Sequence, residues 1–115
     1  MRFKKTKDGY LDTETGLIWK DRDEPNALAY EEALKLNDGT WRVPTIKELS
    51  TLIDYTKYDP STLLPNIKGS SYWSSSPNVN YSDYAWYVNF EHGDSYYSYC
   101  NHDRWVRLVR DIGEK

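Results

Sequence analysis

The chain has 115 residues, of which 15 are basic and 18 are acidic, and its formal net charge at pH 7 is −3. This length predicts one domain spanning residues 1–115, and the negative charge gives no general attraction to nucleic acid, so we expect no nucleic-acid partner. Cys100 is the only cysteine, which excludes an intrachain disulfide and leaves the stability to packing.

The N-terminal part of the chain is predicted to be a meander of short strands. Phe3–Lys5, Tyr10–Asp12 and Leu17–Lys20 are apolar or alternating segments that turn residues separate. The basic residues around the first strand, Arg2, Lys4, Lys5 and Lys7, are expected to face solvent. The N-terminus shows no apolar signal-peptide segment, and no stretch approaches the ~20 apolar residues of a membrane span, so we predict no membrane insertion and leave localisation open.

A first helix is predicted between Pro25-Asn26 and the stop signal Asp38-Gly39. Its buried face is expected to comprise Tyr30, Ala33, Leu34 and Asn37. The triplet Glu24-Pro25-Asn26 matches a motif with which calcium-dependent lectins bind sugars. It supplies too few of the roughly six to eight oxygen ligands that calcium takes, so we interpret it as the turn that leads into the helix.

A second helix is predicted to begin at Ile46 and to end near Tyr55. Thr45 followed three residues later by Glu48 is a capping-box pattern, which marks a helix start. A short buried strand, Trp41–Val43, is expected to precede it. One apolar face of the helix is formed by Ile46, Leu49, Leu52 and Ile53.

The C-terminal half is predicted to be a loop, Lys57–Gly69, followed by β-structure. The candidate strands are Tyr72–Ser75, Tyr84–Phe90, Ser95–Cys100 and Trp105–Val109. His92-Gly93-Asp94 is a plausible hairpin turn. Strands, then two helices, then strands again predict the α+β class.

Six motifs, in order along the chain, resemble those of one bacterial family. They are DTETGLIWK, AYEEALKLNDG, WRVPTIKELSTLID, YWSSSP, YAWYVNF and WVRLVR, and they span about Leu11 to Arg110. The pattern is similar to that of the Lcl C-terminal domain family. The resemblance implies a C-type-lectin-like fold, with two helices packed on short twisted antiparallel sheets and with the termini close together. It also implies binding, because the best-known member is a collagen-like adhesin for sulfated polysaccharides, and a homo-oligomer formed through such a parent protein is compatible with it.

The central WRVPTIKE segment also resembles formylglycine-generating enzymes and sulfoxide synthases, which share the lectin-like fold. Those enzymes use paired cysteines or an iron held by several histidines. Here an iron site would have to come from His92 and His102 with Asp94 or Asp103, and Cys100 beside His102 is the candidate nucleophile. We favour exposed loop histidines and a half-buried structural cysteine, and predict no catalytic residue, no metal and no cofactor.

The closing WVRLVR segment is expected to bury one of its two arginines, Arg107 or Arg110, partly. Carbonyls or carboxylates of the first strands are plausible acceptors, because a buried charge needs partners. The predicted core comprises Trp19, Trp41, Leu49, Ile53, Trp73, Trp86, Val88 and Val106.

The segment from Asp94 to Asp103 is the main candidate for a binding surface. Its composition is typical of antibody paratopes, in which tyrosine supplies rigid contact area and small polar residues supply adaptable hydrogen bonds. It also resembles the variable regions of retroelement-diversified proteins with a lectin-like fold. A two-faced edge hairpin with tyrosines chosen for β propensity is the structural alternative. The candidate ligand-binding residues are Tyr96, Tyr97, Tyr99, Asn101, His102 and Asp103, joined by Asn78, Asn80 and Tyr81 from the preceding loop.

These observations predict a non-enzymatic recognition module that binds a glycan or a protein through its Tyr/Ser/Asn/Asp-rich C-terminal β surface. Two alternatives stay open. One is a structural or assembly module of a larger bacterial surface protein, and the other is a metalloenzyme of the formylglycine-generating type.

Overall fold

A computed structural model describes residues 2–111 of the chain. Its elements, in chain order, are β1 (Phe3–Lys5), β2 (Gly9–Asp12), β3 (Leu17–Lys20), α1 (Tyr30–Leu34), α2 (Ile46–Ser50), β4 (Ser71–Pro77), β5 (Tyr84–Asn89), β6 (Asp94–Tyr99) and β7 (Val109–Asp111). The α+β class is confirmed. Six of the predicted strands are present within one or two residues of the expected bounds, and the segment from Lys57 to Gly69 is a loop as expected.

The strands form two antiparallel sheets, one of four strands in the order β1-β2-β3-β7 and one of three strands in the order β4-β5-β6. The first and last strands therefore share one sheet, at its two edges. The β5–β6 hairpin turns as expected around Gly93, whose φ is +87°. Among the described residues, no helix has both the length and the apolar character needed to cross a bilayer.

Helix α2 starts as predicted and ends early. The side chain of Thr45 accepts a hydrogen bond from the backbone of Glu48, and the Glu48 side chain accepts one from the backbone of Thr45. The helix ends at Ser50 rather than near Tyr55. The chain leaves the helical path because the N–H of Asp54 donates to the carbonyl of Ser61 at 2.7 Å, which ties this segment to the following loop.

Helix α1 is much shorter than predicted and starts later. It begins at Tyr30, four positions after Asn26, because Leu28 forms an antiparallel bridge with Arg104 and holds the chain extended. The N–H of Tyr30 donates to the carbonyl of Cys100 at 3.0 Å, which satisfies one group of the helix start. The Glu24-Pro25-Asn26 triplet therefore lies in a loop, separated from the helix by an extended stretch.

The predicted inner face of α1 is partly correct. Tyr30 and Ala33 are buried and Leu34 is half-buried. Asn37 is exposed and lies beyond the end of the helix, where its side-chain oxygen accepts a hydrogen bond from the N–H of Val43 at 2.9 Å. The expectation that Asn37 belongs to the buried face is wrong.

Two predicted strands are absent or displaced. Trp41–Val43 contributes only a single bridge, between Arg42 and Val109. The last strand begins at Val109 rather than at Trp105, because Trp105 pairs with β4 in the other sheet through a parallel bridge to Tyr72. The chain therefore crosses from one sheet to the other over residues 106–108, which no local pattern indicates.

The core consists of two clusters. One centres on Trp19, Leu49, Tyr72 and Val88, and the other on Trp41, Trp73, Ala85 and Val106. Six of the eight predicted core residues are buried, whereas Ile53 and Trp86 are only half-buried. The assignment of Trp86 to the core is therefore wrong.

Arg107 is the arginine that the fold buries, and it is completely inaccessible. Its guanidinium donates to the carboxylate of Asp23 at 3.0 Å and to the carbonyl of Lys20 at 3.0 Å. It also donates to the carbonyls of Pro65 at 3.2 Å and Asn66 at 2.8 Å. The prediction of a buried arginine is confirmed, but of its acceptors only the carbonyl of Lys20 belongs to the first strands, whereas Asp23, Pro65 and Asn66 lie in loops.

Arg2 does not face solvent with its basic neighbours. Its guanidinium donates to both carboxylate oxygens of the buried Asp12, at 3.0 and 2.9 Å, and to the carbonyl of Thr51 at 2.7 Å. The expectation of a solvated basic strand therefore holds for the exposed residues Lys4 and Lys5 and is wrong for Arg2.

Candidate functional site

A row of aromatic side chains lies across one face of the hairpin formed by β5 and β6. Tyr84 is directly opposite Tyr99 and Trp86 is directly opposite Tyr97, so these side chains point to the same face of the sheet. Ring centroids are 4.5 Å apart for Tyr84 and Tyr99 and 5.2 Å apart for Trp86 and Tyr97. Tyr81 extends the row, with its ring 5.6 Å from that of Tyr84. We call Tyr81, Tyr84, Trp86, Tyr97 and Tyr99 the aromatic row.

The aromatic row is partly open to solvent, with Tyr84, Trp86 and Tyr97 half-buried, because α2 covers only one end of this sheet face. Val88 points to the same face as Trp86 and is fully buried, in the cluster that also contains Leu49 of α2. The helix has five residues, which span only about 8 Å. At the other end of the face, Tyr81 is 58% exposed and Tyr99 is 51% exposed.

The rings of the row are held in place by one another. Tyr84 contacts the rings of Tyr97 at 5.4 Å and Tyr99 at 4.5 Å. A hydrogen bond to Tyr99, together with burial and the neighbouring hydroxyls, raises the pKa of Tyr84 to about 12. The Tyr84 hydroxyl is therefore neutral at physiological pH.

Tyr96 lies on the opposite side of the sheet from the row. It is paired with Tyr87 in the ladder and is 58% exposed. Its ring nevertheless stacks on that of Tyr97, with centroids 5.0 Å apart and an angle of 22° between the planes. The two rings therefore meet around the outer edge of β6, so that tyrosine is accessible on both sides of this edge strand.

The loop before β5 contributes Asn80 and Tyr81, which are both exposed. Asn78 is buried, and its side-chain oxygen accepts a hydrogen bond from the N–H of Asn80 at 2.9 Å. Its N–H donates to the carbonyl of Tyr84 at 2.9 Å. Asn78 therefore holds the turn that carries Tyr81, and it does not belong among the candidate ligand-binding residues.

The residues after β6 are placed at the Tyr99 end of the row. Asn101, His102 and Asp103 are all exposed. Asn101 and Tyr99 line a shallow cavity of about 340 Å³, whose other walls are Glu31, Ser82, Asp83 and Cys100. Within residues 2–111, no ring contact or hydrogen bond joins the side chain of His102 or Asp103 to the row.

Sequence reasoning missed Tyr84 and Trp86 as surface residues. The signal was present in the segment YAWYVNF, where alternation puts Tyr84, Trp86 and Val88 on one face. A strand whose whole inner face is covered would bury all three side chains. The cover depends on where α2 lies along the strand, which is at the Val88 end of the face and which the local sequence pattern does not indicate.

The two histidines lie at opposite ends of β6, His92 in the turn before it and His102 after it. The six residues of the strand place them roughly 20 Å apart, which is too far for both to bind one ion. Within residues 2–111, histidine, cysteine and carboxylate side chains do not gather in groups of three or more as metal ligands would.

Cys100 is half-buried against the second core cluster. Burial raises the pKa of its thiol, and the carboxylates of Asp83 and Glu31 raise it further. A raised thiol pKa disfavours the thiolate, which is the nucleophilic form. The environment of Cys100 thus resembles that of a structural cysteine.

The surface around the aromatic row is acidic. Residues 71–103 contain four acidic residues, Asp83, Glu91, Asp94 and Asp103, and neither lysine nor arginine. Arg104, the next basic residue, has its guanidinium 3.9 Å from the ring centre of Tyr87, on the opposite face of the sheet from the row. Residues 71–103, which contain every residue of the row, therefore supply no cationic side chain to bind an anionic group.

Two comparisons with known proteins bear on this arrangement. A family model described as the Lcl C-terminal domain matches residues 9–110 of the chain. No curated protein matches the sequence significantly.

Proposed function

The chain belongs to the Lcl C-terminal domain family, and from that premise we propose that it is a non-catalytic recognition module that binds a glycan or protein ligand through the aromatic row. The observation that carries the proposal is a continuous set of aromatic side chains, Tyr81, Tyr84, Trp86, Tyr97 and Tyr99, in which Tyr81 and Tyr99 are exposed and the other three are half-buried. Asn80, Asn101, His102 and Asp103 supply polar groups at the margins.

Such a surface suits a ligand that is flat and partly apolar. Aromatic rings offer large contact area to the C–H face of a sugar or to protein side chains, and the tyrosine hydroxyls orient the ligand through hydrogen bonds. Mutual ring contacts hold Tyr84 and Tyr97 in position, which lowers the conformational entropy lost on binding.

The charge of the surface narrows the ligand class. Residues 71–103 carry four acidic side chains and no lysine or arginine, so a sulfated polysaccharide would meet repulsion at this surface. A neutral glycan or an uncharged or basic protein segment fits better. In this respect the proposed ligand differs from the sulfated ligand that the resemblance to the collagen-like adhesin implies.

The C-type-lectin-like topology and a place in a bacterial surface protein, both implied by the resemblance, belong to the same proposal. A monovalent site of this size would bind weakly, and presentation on a homo-oligomeric parent would raise the avidity. A structural or assembly module is the competing function, for which the open aromatic row would serve as a contact between proteins of one assembly.

The test replaces Tyr97 and Tyr99 together by alanine and compares binding to neutral-glycan and protein arrays. We expect the double variant to lose the binding that the unmodified protein shows, while its melting temperature falls only slightly. The matched control is Tyr55→Ala with Tyr58→Ala, because these residues are 81% and 66% exposed and lie outside the row. The control should bind normally.

Unchanged array binding by the Tyr97/Tyr99 double variant would remove the row as the site. Loss of its fold would show instead that these tyrosines belong to the core. A protein that binds neither array but assembles in light-scattering experiments would favour the structural alternative.

A further inference from the structure

Two sheets have four edge strands, and three of these edges are protected. Strand β1 carries the exposed residues Lys4 and Lys5, and lysine on an edge strand discourages pairing with another chain. Strand β7 is covered by its bridge to Arg42. Strand β4 is covered by Trp105, and the N–H of Ser75 donates to the carbonyl of Pro44 at 2.7 Å.

Strand β6 is the edge without such protection. Its sequence, DSYYSY, has no lysine or proline, and it pairs with β5 along its whole length without a bulge. The N–H of Cys100 donates to the carbonyl of Asp83 at 2.9 Å. Tyr84 and Tyr99 are therefore a non-hydrogen-bonded pair, and the alternation of an antiparallel ladder turns the peptide groups of Ser95, Tyr97 and Tyr99 outward.

These outward peptide groups are nearly all unpaired. Within residues 2–111, no hydrogen bond from another segment reaches the N–H or the carbonyl of Ser95 or Tyr97, and the carbonyl of Tyr99 accepts only a long bond of 3.4 Å from the N–H of His102. A row of open N–H and C=O groups at strand spacing is a template for one more strand.

We propose that the free edge of β6 binds an extended peptide segment rich in lysine or arginine, which adds to the sheet as an extra strand. The inference deepens the proposed function and rests on it, because Tyr97 and Tyr99 belong both to the aromatic row and to this edge. Backbone hydrogen bonds to Ser95, Tyr97 and Tyr99 would supply the pairing.

Charge complementarity identifies the partner. Asp94 begins the strand, and Asp83 and Asp103 lie beyond its other end, all three exposed. Tyr96 and Tyr99 are exposed on opposite sides of the edge, where their rings can contact the cationic side chains of an added strand from both faces. A basic peptide gains from both features, whereas an acidic one meets repulsion.

A second copy of this chain fits the edge less well. Two β6 strands paired antiparallel about Tyr97 would bring Asp94 of one copy opposite Cys100 of the other, next to the Asp83 and Asp103 that flank that end of the strand. Like charges brought close together across a strand pair destabilise it. The acidic ends of β6 therefore favour a basic partner over self-association.

The experiment measures fluorescence anisotropy with two labelled probes, a short peptide that alternates lysine with valine and its counterpart with glutamate in place of lysine. Ser95→Pro is the diagnostic variant, because proline removes an outward N–H and leaves the ladder to β5 intact. Ser95→Ala is the matched control, since it loses the same hydroxyl and keeps the N–H. Trp86→Ala removes a ring of the row without altering any outward peptide group.

We expect the lysine probe, and not the glutamate probe, to bind the unmodified protein. Ser95→Pro should weaken this binding by about tenfold, the effect of one lost hydrogen bond together with the bulk of the proline ring, and Ser95→Ala should change it by less than about twofold. In the unmodified protein, the probe should slow hydrogen exchange of the Tyr97 and Tyr99 amides, a readout that does not depend on the folding of any variant.

The proposal is overturned if the lysine probe does not bind, if both probes bind equally, or if the Tyr97 and Tyr99 amides exchange at the same rate with and without it. A dimer that sedimentation velocity detects and that Ser95→Pro dissociates would assign the edge to a second copy and would likewise overturn it. Trp86→Ala separates this proposal from the proposed function, since it should weaken binding to an array ligand while sparing the lysine probe.

Discussion

Arg107, beside the four-stranded sheet, is fully buried and bonds to one carboxylate and three carbonyls, whereas Tyr99, in the three-stranded sheet, is 51% exposed beside unpaired peptide groups. The Arg107 guanidinium bonds only to groups inside the protein and is not accessible to an outside partner. The region around Tyr99 leaves both rings and backbone groups open. The contrast separates polar residues that hold the fold from those available for binding. Substitutions of the buried polar residues should therefore lower the free energy of unfolding, whereas substitutions of the exposed ones should hardly change it.

The largest effect on stability is expected from Arg107→Met. The substitution removes the guanidinium from Asp23, whose side chain is only 5% exposed and which keeps Lys68 and Tyr72 as partners. It also leaves the carbonyls of Pro65 and Asn66 without their donor. Breaking a buried ion pair on one side costs about 3 to 5 kcal/mol in the free energy of unfolding. Urea denaturation monitored by tryptophan fluorescence measures the change.

Arg22→Met is the matched control for Arg107→Met, because the Arg22 side chain is 80% exposed. It should change the free energy of unfolding by less than about 0.5 kcal/mol. Equal effects of the two substitutions would contradict this prediction and would mean that the Arg107 contacts contribute little to stability.

An intermediate effect that depends on pH is expected from Asp12→Asn. Burial alone would raise the pKa of Asp12, but the hydrogen bonds from Arg2 and from the N–H of Glu14 outweigh it and hold that pKa below its usual value. The carboxylate therefore stabilises the fold fully above the unfolded-state pKa of about 3.9, and this contribution is lost as the pH falls through the lower folded-state value.

At pH 7 the Asp12→Asn variant should be less stable by about 2 kcal/mol, the range of hydrogen bonds to charged groups. Between about pH 5 and pH 2 its stability should fall less steeply than that of the unmodified protein. Some decline should persist, because the pKa of Glu48, paired with Arg42, is lowered as well. Parallel pH profiles of the two proteins, obtained from urea titrations, would contradict the assignment to Asp12.

The smallest effects on stability are expected from two tyrosines of the three-stranded sheet, one buried and one exposed. Tyr72 is fully buried, and its hydroxyl donates to Asp23 at 2.7 Å and accepts from the N–H of Lys68 at 2.9 Å. Tyr72→Phe should lower the free energy of unfolding by about 1 to 2 kcal/mol, since it removes one donor from the buried carboxylate of Asp23 and the acceptor of the Lys68 N–H. Tyr96→Phe removes the same atom from an exposed side chain and should change it by less than about 0.5 kcal/mol. Thermal denaturation of both variants provides the measurement. A larger loss of stability for Tyr96→Phe than for Tyr72→Phe would contradict the distinction between buried polar groups that hold the fold and exposed groups that do not.

The sequence predicted the elements whose cause is local. The meander from β1 to β3, the capping box of Thr45 and Glu48, and the hairpin around Gly93 all follow from residue types at fixed spacings. The alternation in WVRLVR also indicated that one arginine would be buried. The tyrosine-rich segment was identified as a surface, and the structure adds Tyr84 and Trp86 to it.

The errors share a different cause, which is pairing between distant segments. Helix α1 starts late because Leu28 pairs with Arg104, and β7 starts late because Trp105 pairs with Tyr72. Neither partner is visible from the local pattern around the residue it displaces. The lectin-like topology implied by the family resemblance and the single-domain organisation stay predictions.

By itself, the sequence determined the α+β class, the order of the strands along the chain and the residue types available on β6, because propensity, capping and alternation act over a few neighbouring residues. The tertiary structure decided which faces and edges were left open. Helix α2 lies over the Val88 end of the sheet face and leaves the aromatic row partly exposed, and the segments that cover β4 and β7 do not reach β6. Exposure depends on contacts between residues far apart in the chain, so the position of the candidate site follows from the assembled fold.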